Sequence, residues 1–281
     1  MIGVSPAYFI SRFGNRFTPQ DVAGGLEELA KMEFNGFQLE VYHGDALKAW
    51  VTKGARLVRE RSADLGLAAT QFVAHFMLKA FADQPGLSLP AAVDQMKMVL
   101  DIVERFEECH VVTVPLPAFQ SEPVPTADTY RRMFDRLLEK IASLLGAVQG
   151  AGRRMALELL PTAVIGATDG FLRLSEGLGS DSLGFNFDTG HAWACKENLY
   201  LVPAKLGRRI LGTHLCDNFG NENLSLCPGA GSIDWPRLIS ALKACGYNES
   251  WDIEIMCKAE NAEIEYDRGK RFIEELTKSI S

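Results

Sequence analysis

The chain has 281 residues, 47% hydrophobic and 23% charged, a composition that supports a large folded core and excludes a disordered or fibrous chain. Its net charge of −7 repels phosphate backbones and argues against a nucleic-acid partner, and no apolar run approaches a membrane span. Six cysteines, at 109, 195, 216, 227, 245 and 257, form no CxxC pair and read as reduced thiols of a cytoplasmic protein, not a disulfide framework.

The opening MIGVSPAYFI lacks a basic start and reads as a first strand, Met1 to Tyr8, not a signal peptide. The loop from Phe9 to Phe17 then carries Phe9, Phe13 and Phe17 among Arg12, Asn15 and Arg16. Thr18-Pro19 starts a helix with Pro in the first turn; Leu26, Leu29 and Ala30 form its apolar stripe, which stops before Asn35-Gly36. Phe37 to Tyr42 is a second strand, with Glu40 and Tyr42 opposite Leu39 and Val41. A helix from Asp45 to Leu65 ends at Gly66, and Leu67 to His75 is a third strand. Its connection, 76–89, holds Phe76, Met77 and Phe81. Apolar residues in connections mark a ligand wall or an interface, so the loops after strands one and three are expected to cover the site or to join two copies in a homodimer.

Pro90 to Phe106 has helical spacing, with Val93, Met96, Val99, Leu100 and Val103 on one stripe. His110 to Leu116 is a fourth strand, followed by a loop stiffened by Pro117, Pro123 and Pro125 and by a long helix from Ala127 to Ala151. Four more strands follow, each with a metal-capable side chain near its C-terminal end. Arg154 to Pro161 is apolar around Glu158. Gly184 to Phe187 leads to Asp188, with Asn186 and Asp188 opposite Phe185 and Phe187. Ile210 to Asn218 holds His214, with Asp217 just beyond. Ser250 to Met256 puts Asp252 and Glu254 opposite Ile253 and Ile255. Helices are expected at 169–178, 197–206, 234–244 and 262–280.

Alternating strands and helices imply a parallel sheet, and eight units without a compositional break close into a single (β/α)8 TIM barrel over residues 1–281. In that fold the C-terminal strand ends form the active site, which gathers Glu158, Asp188, His214 and Glu254 at one mouth. Three carboxylates and an imidazole are a hard, oxygen-rich set. They suit one divalent ion, Mn²⁺ first, with Mg²⁺, Co²⁺ and Zn²⁺ as other fits. Such an ion would stabilise an enediolate while Glu158 and Glu254 remove and return the proton beside a carbonyl. That is the chemistry of an aldose–ketose isomerase or a ketose epimerase acting on a small sugar or polyol. Cys195, Cys216 and Cys227, near this site, read as small apolar filler.

ELLP after strand five, DTGHAW after strand six, THLCDN after strand seven, PGAGSIDW and the IEI of strand eight resemble the xylose isomerase-like sugar phosphate isomerase/epimerase superfamily. The resemblance implies metal ligands at Glu158, Asp188, His214 and Glu254, and substrate contacts from Glu40, His75 and His191. Relatives often carry His and Glu where this chain has Ser225 and Ala230, and ketose 3-epimerases carry an Arg where it has Gly220. The metal cage is therefore retained while the substrate side of that loop departs. A dehydratase of a keto-polyol shares the first half-reaction and remains an alternative, as does a binding barrel without catalysis. No glycine-rich phosphate cradle stands out, which favours an unphosphorylated substrate.

Overall fold

Short apolar strands alternate with amphipathic helices in a computed structural model that describes residues 1–121 and 124–280. The strands are β1 (Ile2–Val4), β2 (Gly36–Glu40), β3 (Ala68–Val73), β4 (Val111–Leu116), β5 (Arg154–Leu159), β6 (Leu183–Asp188), β7 (Ile210–His214) and β8 (Trp251–Ile253). All pair in parallel, and β1 lies between β2 and β8. A parallel bridge from Leu215 to Ile253 brings β7 against β8 and closes the ring, giving a single (β/α)8 TIM barrel. The helices are α1 (Ala7–Phe13), α2 (Pro19–Lys31), α3 (Ala55–Leu65), α4 (Gln84–Ser88), α5 (Val93–Val103), α6 (Ala127–Gly150), α7 (Thr168–Leu178), α8 (Thr189–Ala194), α9 (Val202–Leu206), α10 (Trp235–Ala244) and α11 (Ala262–Ser279).

The apolar stripes of the helices pack on the outside of the barrel. Leu26, Leu29, Val58, Val99, Ile141, Phe171, Leu238 and Ile273 join Leu39, Phe72, Val112, Leu157, Phe187 and Ile253 in one buried cluster. One layer inside the barrel is polar, while Val111, Ala156 and Leu211 form a separate small apolar cluster. Gln71 donates to Asn186 Oδ1 across the barrel (2.9 Å) and accepts from Thr113 (2.5 Å), while Gln38 donates to Asp252 (2.9 Å). Successive strand residues point to opposite faces, so the residue two before each strand-end acid or His lies one layer deeper on the same side.

Several boundaries differ from the sequence expectation. β1 is only three residues long, and 7–13 is a helix, not part of a strand and a loop. Phe9 and Phe13 are four residues apart, a helical spacing, and both rings meet α2 at Gly25, where a Cβ would lie 3.0 Å from Phe9 and 3.1 Å from Phe13. Phe9 and Phe17 are buried and Phe13 packs on the same core. The aromatic stretch thus fills the α1–α2 junction; its rings do not wall the site. Met77 and Phe81 are likewise buried in the core, and α4 lies within the second connection. β3 ends at Val73, before His75, and β8 ends at Ile253, so Glu254 sits just past its strand. Of the proline-rich loop after β4, Pro123 lies outside the described residues. Ala118 bridges Ala163, and Gln120 bridges Asp83, which pins that loop to its neighbours.

Candidate metal centre at the barrel mouth

β5 carries Glu158 one residue before its end, β6 and β7 end on Asp188 and His214, and Glu254 follows β8. The imidazole of His214 stands among the acids. Its Nδ1 lies 3.0 Å from Glu254 Oε2, 3.1 Å from Glu158 Oε1 and 3.9 Å from Asp188 Oδ2. Glu158, Asp188 and His214 offer ligand atoms that all lie within 4.8 Å of one another. Asp188 also caps α8, accepting from the His191 backbone N–H through Oδ1 (2.6 Å). Its Oδ2 is buried with no partner, and a buried acceptor left unpaired is costly.

The charges tell the same story. Burial alone would lower the His214 pKa, but Glu158 and Glu254 overcome it and push it up to about 10. Burial, and then the charge of Glu158, raises Asp188 to about 7. Burial, with Asp188 and Glu158 adding to it, raises Glu254 to about 7. Burial also works against the Glu158 carboxylate, but His214 brings it down to about 2. Without a cation the cluster has to hold protons to relieve its own repulsion. An orphaned carboxylate oxygen, a crowded imidazole nitrogen and a carboxylate-rich donor set together fit a divalent ion.

A cavity of about 240 Å³ lies above this cluster, lined by Glu158, His214, Glu254, Glu40, His75 and His191. Pro6, Ala7, Ile10, Val73, Pro115, Leu160 and Met256 supply its apolar wall, and among the described residues no Lys or Arg lines it. All the expected site residues therefore come together, with Asp188 just beneath the cavity lining. His191 Nε2 is 3.7 Å from Glu158 and 3.6 Å from Asp188. Burial lowers its pKa, which keeps the ring neutral. His75 Nδ1 is 3.5 Å from Glu40 Oε1, and its ring stacks on Tyr42 with centroids 4.5 Å apart. Burial, and then Glu254, pushes Glu40 well above the carboxylate range.

One residue at the site, Asn223, was not singled out by the sequence. Asn223 Oδ1 accepts from the Ser225 backbone N–H (3.0 Å), which turns its amide nitrogen toward His191 Nδ1 (3.0 Å). His191 Nδ1 is then the acceptor, and the ring proton sits on Nε2, facing the acids. Ser225 Oγ reaches Glu254 Oε1 at 3.5 Å. Cys216 is more than filler, because its thiol lies 3.6 Å from Asp188 Oδ1 as a donor. Asp217, beside it, serves the loop from 218 to 232. Its carboxylate accepts from the backbone N–H groups of Asn218 (2.8 Å), Gly229 (3.0 Å) and Ile233 (3.2 Å) and from Trp235 Nε1 (2.8 Å).

A parallel barrel with a buried acid-and-histidine cluster at the C-terminal strand ends is the architecture of a TIM-barrel protein with its site at the usual face. Residues 26–276 match the sequence pattern of the xylose isomerase-like TIM barrel family, and the chain belongs to that family. An uncharacterised protein of Sinorhizobium fredii is 31% identical over 84 residues, 30% of this chain and 27% of its own length. One of Methanocaldococcus jannaschii is 23% identical over 246 residues, 85% of this chain and 80% of its own length. The inosose isomerase of Bacillus velezensis is 23% identical over 176 residues, 58% of this chain and 59% of its own length. The match thus spans less than two thirds of the Sinorhizobium and Bacillus relatives.

Among solved structures, the IolI protein with a bound zinc atom superimposes with a TM-score of 0.77 at 15% identity, covering 100% of this chain and 99% of the other. A D-psicose 3-epimerase of Clostridium cellulolyticum, solved with D-tagatose, gives 0.75 at 14%, covering 98% of each. At such identities the likeness is one of fold.

Proposed function

We propose that this protein is a divalent-metal-dependent isomerase or epimerase of a small, unphosphorylated keto-sugar or keto-polyol, working by proton transfer beside a carbonyl. The observation that carries the reading is the pair Glu158 and Glu254. They reach the same His214 nitrogen from separate strands on the floor of one cavity. The inosose isomerase relative and the epimerase and zinc-containing structural neighbours support it. Glu158, Asp188, His214 and Glu254 would hold the ion, Mn²⁺ best matching the oxygen-rich set. When bound, such an ion supplies Lewis acidity that offsets negative charge building beside the carbon that loses its proton.

The chain's own residues do the rest. One of Glu158 and Glu254 takes the proton and the other returns it, since each faces the cavity as a base within reach of its floor. His191, neutral and fixed with its proton on Nε2, donates to a substrate oxygen. Glu40 and the His75–Tyr42 stack bind hydroxyl groups and a ring or chain face. Among the described residues the cavity lining has no Lys or Arg to meet a phosphate, which supports an uncharged substrate. The free cysteines support a reducing, cytoplasmic setting.

The test is a panel of ketoses and keto-inositols incubated with Mn²⁺ in D₂O, reading exchange of the proton beside the carbonyl. Exchange that needs metal and is abolished in metal-loaded Glu158→Gln is the expected result. Exchange at the parent rate in that variant contradicts the assignment.

A further inference from the structure

We propose that Gln38 and Asp252 form a positioning relay inside the barrel that fixes which nitrogen of His214 faces the acid cluster. The inference rests on the metal-site reading above. His214 Nε2 lies 2.8 Å from Gln38 Oε1, and Gln38 Nε2 lies 2.9 Å from Asp252 Oδ2. Asp252 also receives Thr70 Oγ1 on Oδ2 (3.1 Å) and Ser250 Oγ on Oδ1 (2.7 Å). Gln38 and Asp252 are both buried, at 0% and 1% exposure.

The chemistry of the groups orients the relay. A carboxylate accepts only, so Asp252 draws the NH₂ end of the Gln38 amide toward itself. The amide oxygen is then left facing His214, and an amide oxygen also only accepts. His214 must therefore carry a hydrogen on Nε2. Its other nitrogen, Nδ1, is the one that Glu158, Glu254 and Asp188 surround. With Nε2 occupied, the lone pair available to an ion is on Nδ1, inside the acid ring. If the Gln38 amide were turned over, its NH₂ would face Nε2, favouring the opposite tautomer and placing a proton where the ion belongs. Partners that fix the tautomer of a ligating histidine typically account for ~10–100-fold in metal affinity.

The barrel makes room for this chain of groups at a cost in side chains. A Cβ on Gly3 of β1 would lie 2.1 Å from Asp252 Oδ1, so Asp252 occupies space that any other residue there would take. Gln38 and Asp252 sit two positions before Glu40 and Glu254, one layer below the site on β2 and β8.

The experiment uses ¹⁵N-histidine-labelled full-length protein, metal-free and zinc-loaded. His214 resonances are assigned with His214→Ala, and zinc affinity is measured by chelator competition. The expected result is a slowly exchanging Nε2 proton on His214 in both forms, with zinc perturbing Nδ1. Asp252→Asn and Gln38→Met should each weaken zinc binding by ~10–100-fold, and Asp252→Asn should lose the slow exchange of the Nε2 proton. A zinc-loaded parent with the His214 proton on Nδ1, or zinc on Nε2, overturns the relay, and so does parent-like affinity in both variants. The measurement on the parent decides even where a variant does not fold. A parent that binds no zinc yet keeps the Nε2 proton would instead overturn the metal reading.

Discussion

At the scale of single residues, the site is defined by groups that cannot all be charged at once. In the metal-free protein burial and the neighbouring acids push Asp188 and Glu254 up to about 7, and Glu158 and Glu254 push His214 up to about 10 against its burial, each above its ordinary value. An ion requires the deprotonated forms, so binding at pH 7 must release protons, and affinity must fall as pH drops through 7, by about tenfold per pH unit for each proton displaced. Calorimetry in buffers of differing ionisation enthalpy should show at least one proton released per ion at pH 7; heat independent of buffer would rule this out. His191 plays a different part. Outside the proposed ligand set and held by Asn223, it should be dispensable for the ion and needed for turnover. His191→Ala should retain metal and lose ~10²-fold in rate, the low end for one polar catalytic group. A variant that loses the metal instead would make His191 a ligand.

The elements show why parts of this arrangement were readable in the sequence. A carboxylate or imidazole at the end of an apolar strand is costly to bury without a partner, and four such strands in succession mark one mouth. Glu158, Asp188, His214 and Glu254 were legible for that reason. Gln38 was not, because its partner His214 is 176 positions away and an amide inside a strand reads as a half-buried polar residue. Asn223 lay in a loop whose Asn-rich composition says turn before it says site. The α1 helix was missed because Ser5-Pro6-Ala7 continued an apolar run, while the four-residue phenylalanine spacing was assigned to a surface loop.

α1 is in fact tied down. Arg12 makes two bonds of 2.9 Å to Glu28 of α2, and Tyr8 adds one of 2.7 Å. The loop after β7 depends on one side chain in the same way. Asp217, fully buried with its N–H donors converging on it, should cost at least ~3 kcal/mol when changed to Ala, because each stranded donor loses its partner. Denaturant melts of Asp217→Ala measure this; a loss within ~0.5 kcal/mol, the range of an ordinary surface change, would mean the loop is held by other contacts.

On the scale of the whole molecule, the barrel was the easiest feature to read, because strand and helix periodicities alternate through the chain and eight units close on themselves. Its polar interior was harder to read, since inward strand residues are expected to be apolar in such folds. Here the layer beneath the site is Gln38, Gln71, Asn186 and Asp252. The rings around Phe13 are used in packing α1 on α2. The cation site also links to global stability. An ion that binds only the folded chain stabilises it by about 2.7 kcal/mol at a hundred times its Kd, a rise in Tm of about 5 °C or more for a chain of this size. Scanning calorimetry with Mn²⁺ and with chelator should show that rise; identical melts would contradict a site formed by folding.

The most direct test of the central claim is anomalous scattering at the manganese edge from crystals of Mn²⁺-loaded protein. A single strong peak among Glu158, Asp188, His214 and Glu254, lost in Asp188→Ala, is the predicted result. A peak elsewhere, or one that survives in that variant, would contradict it.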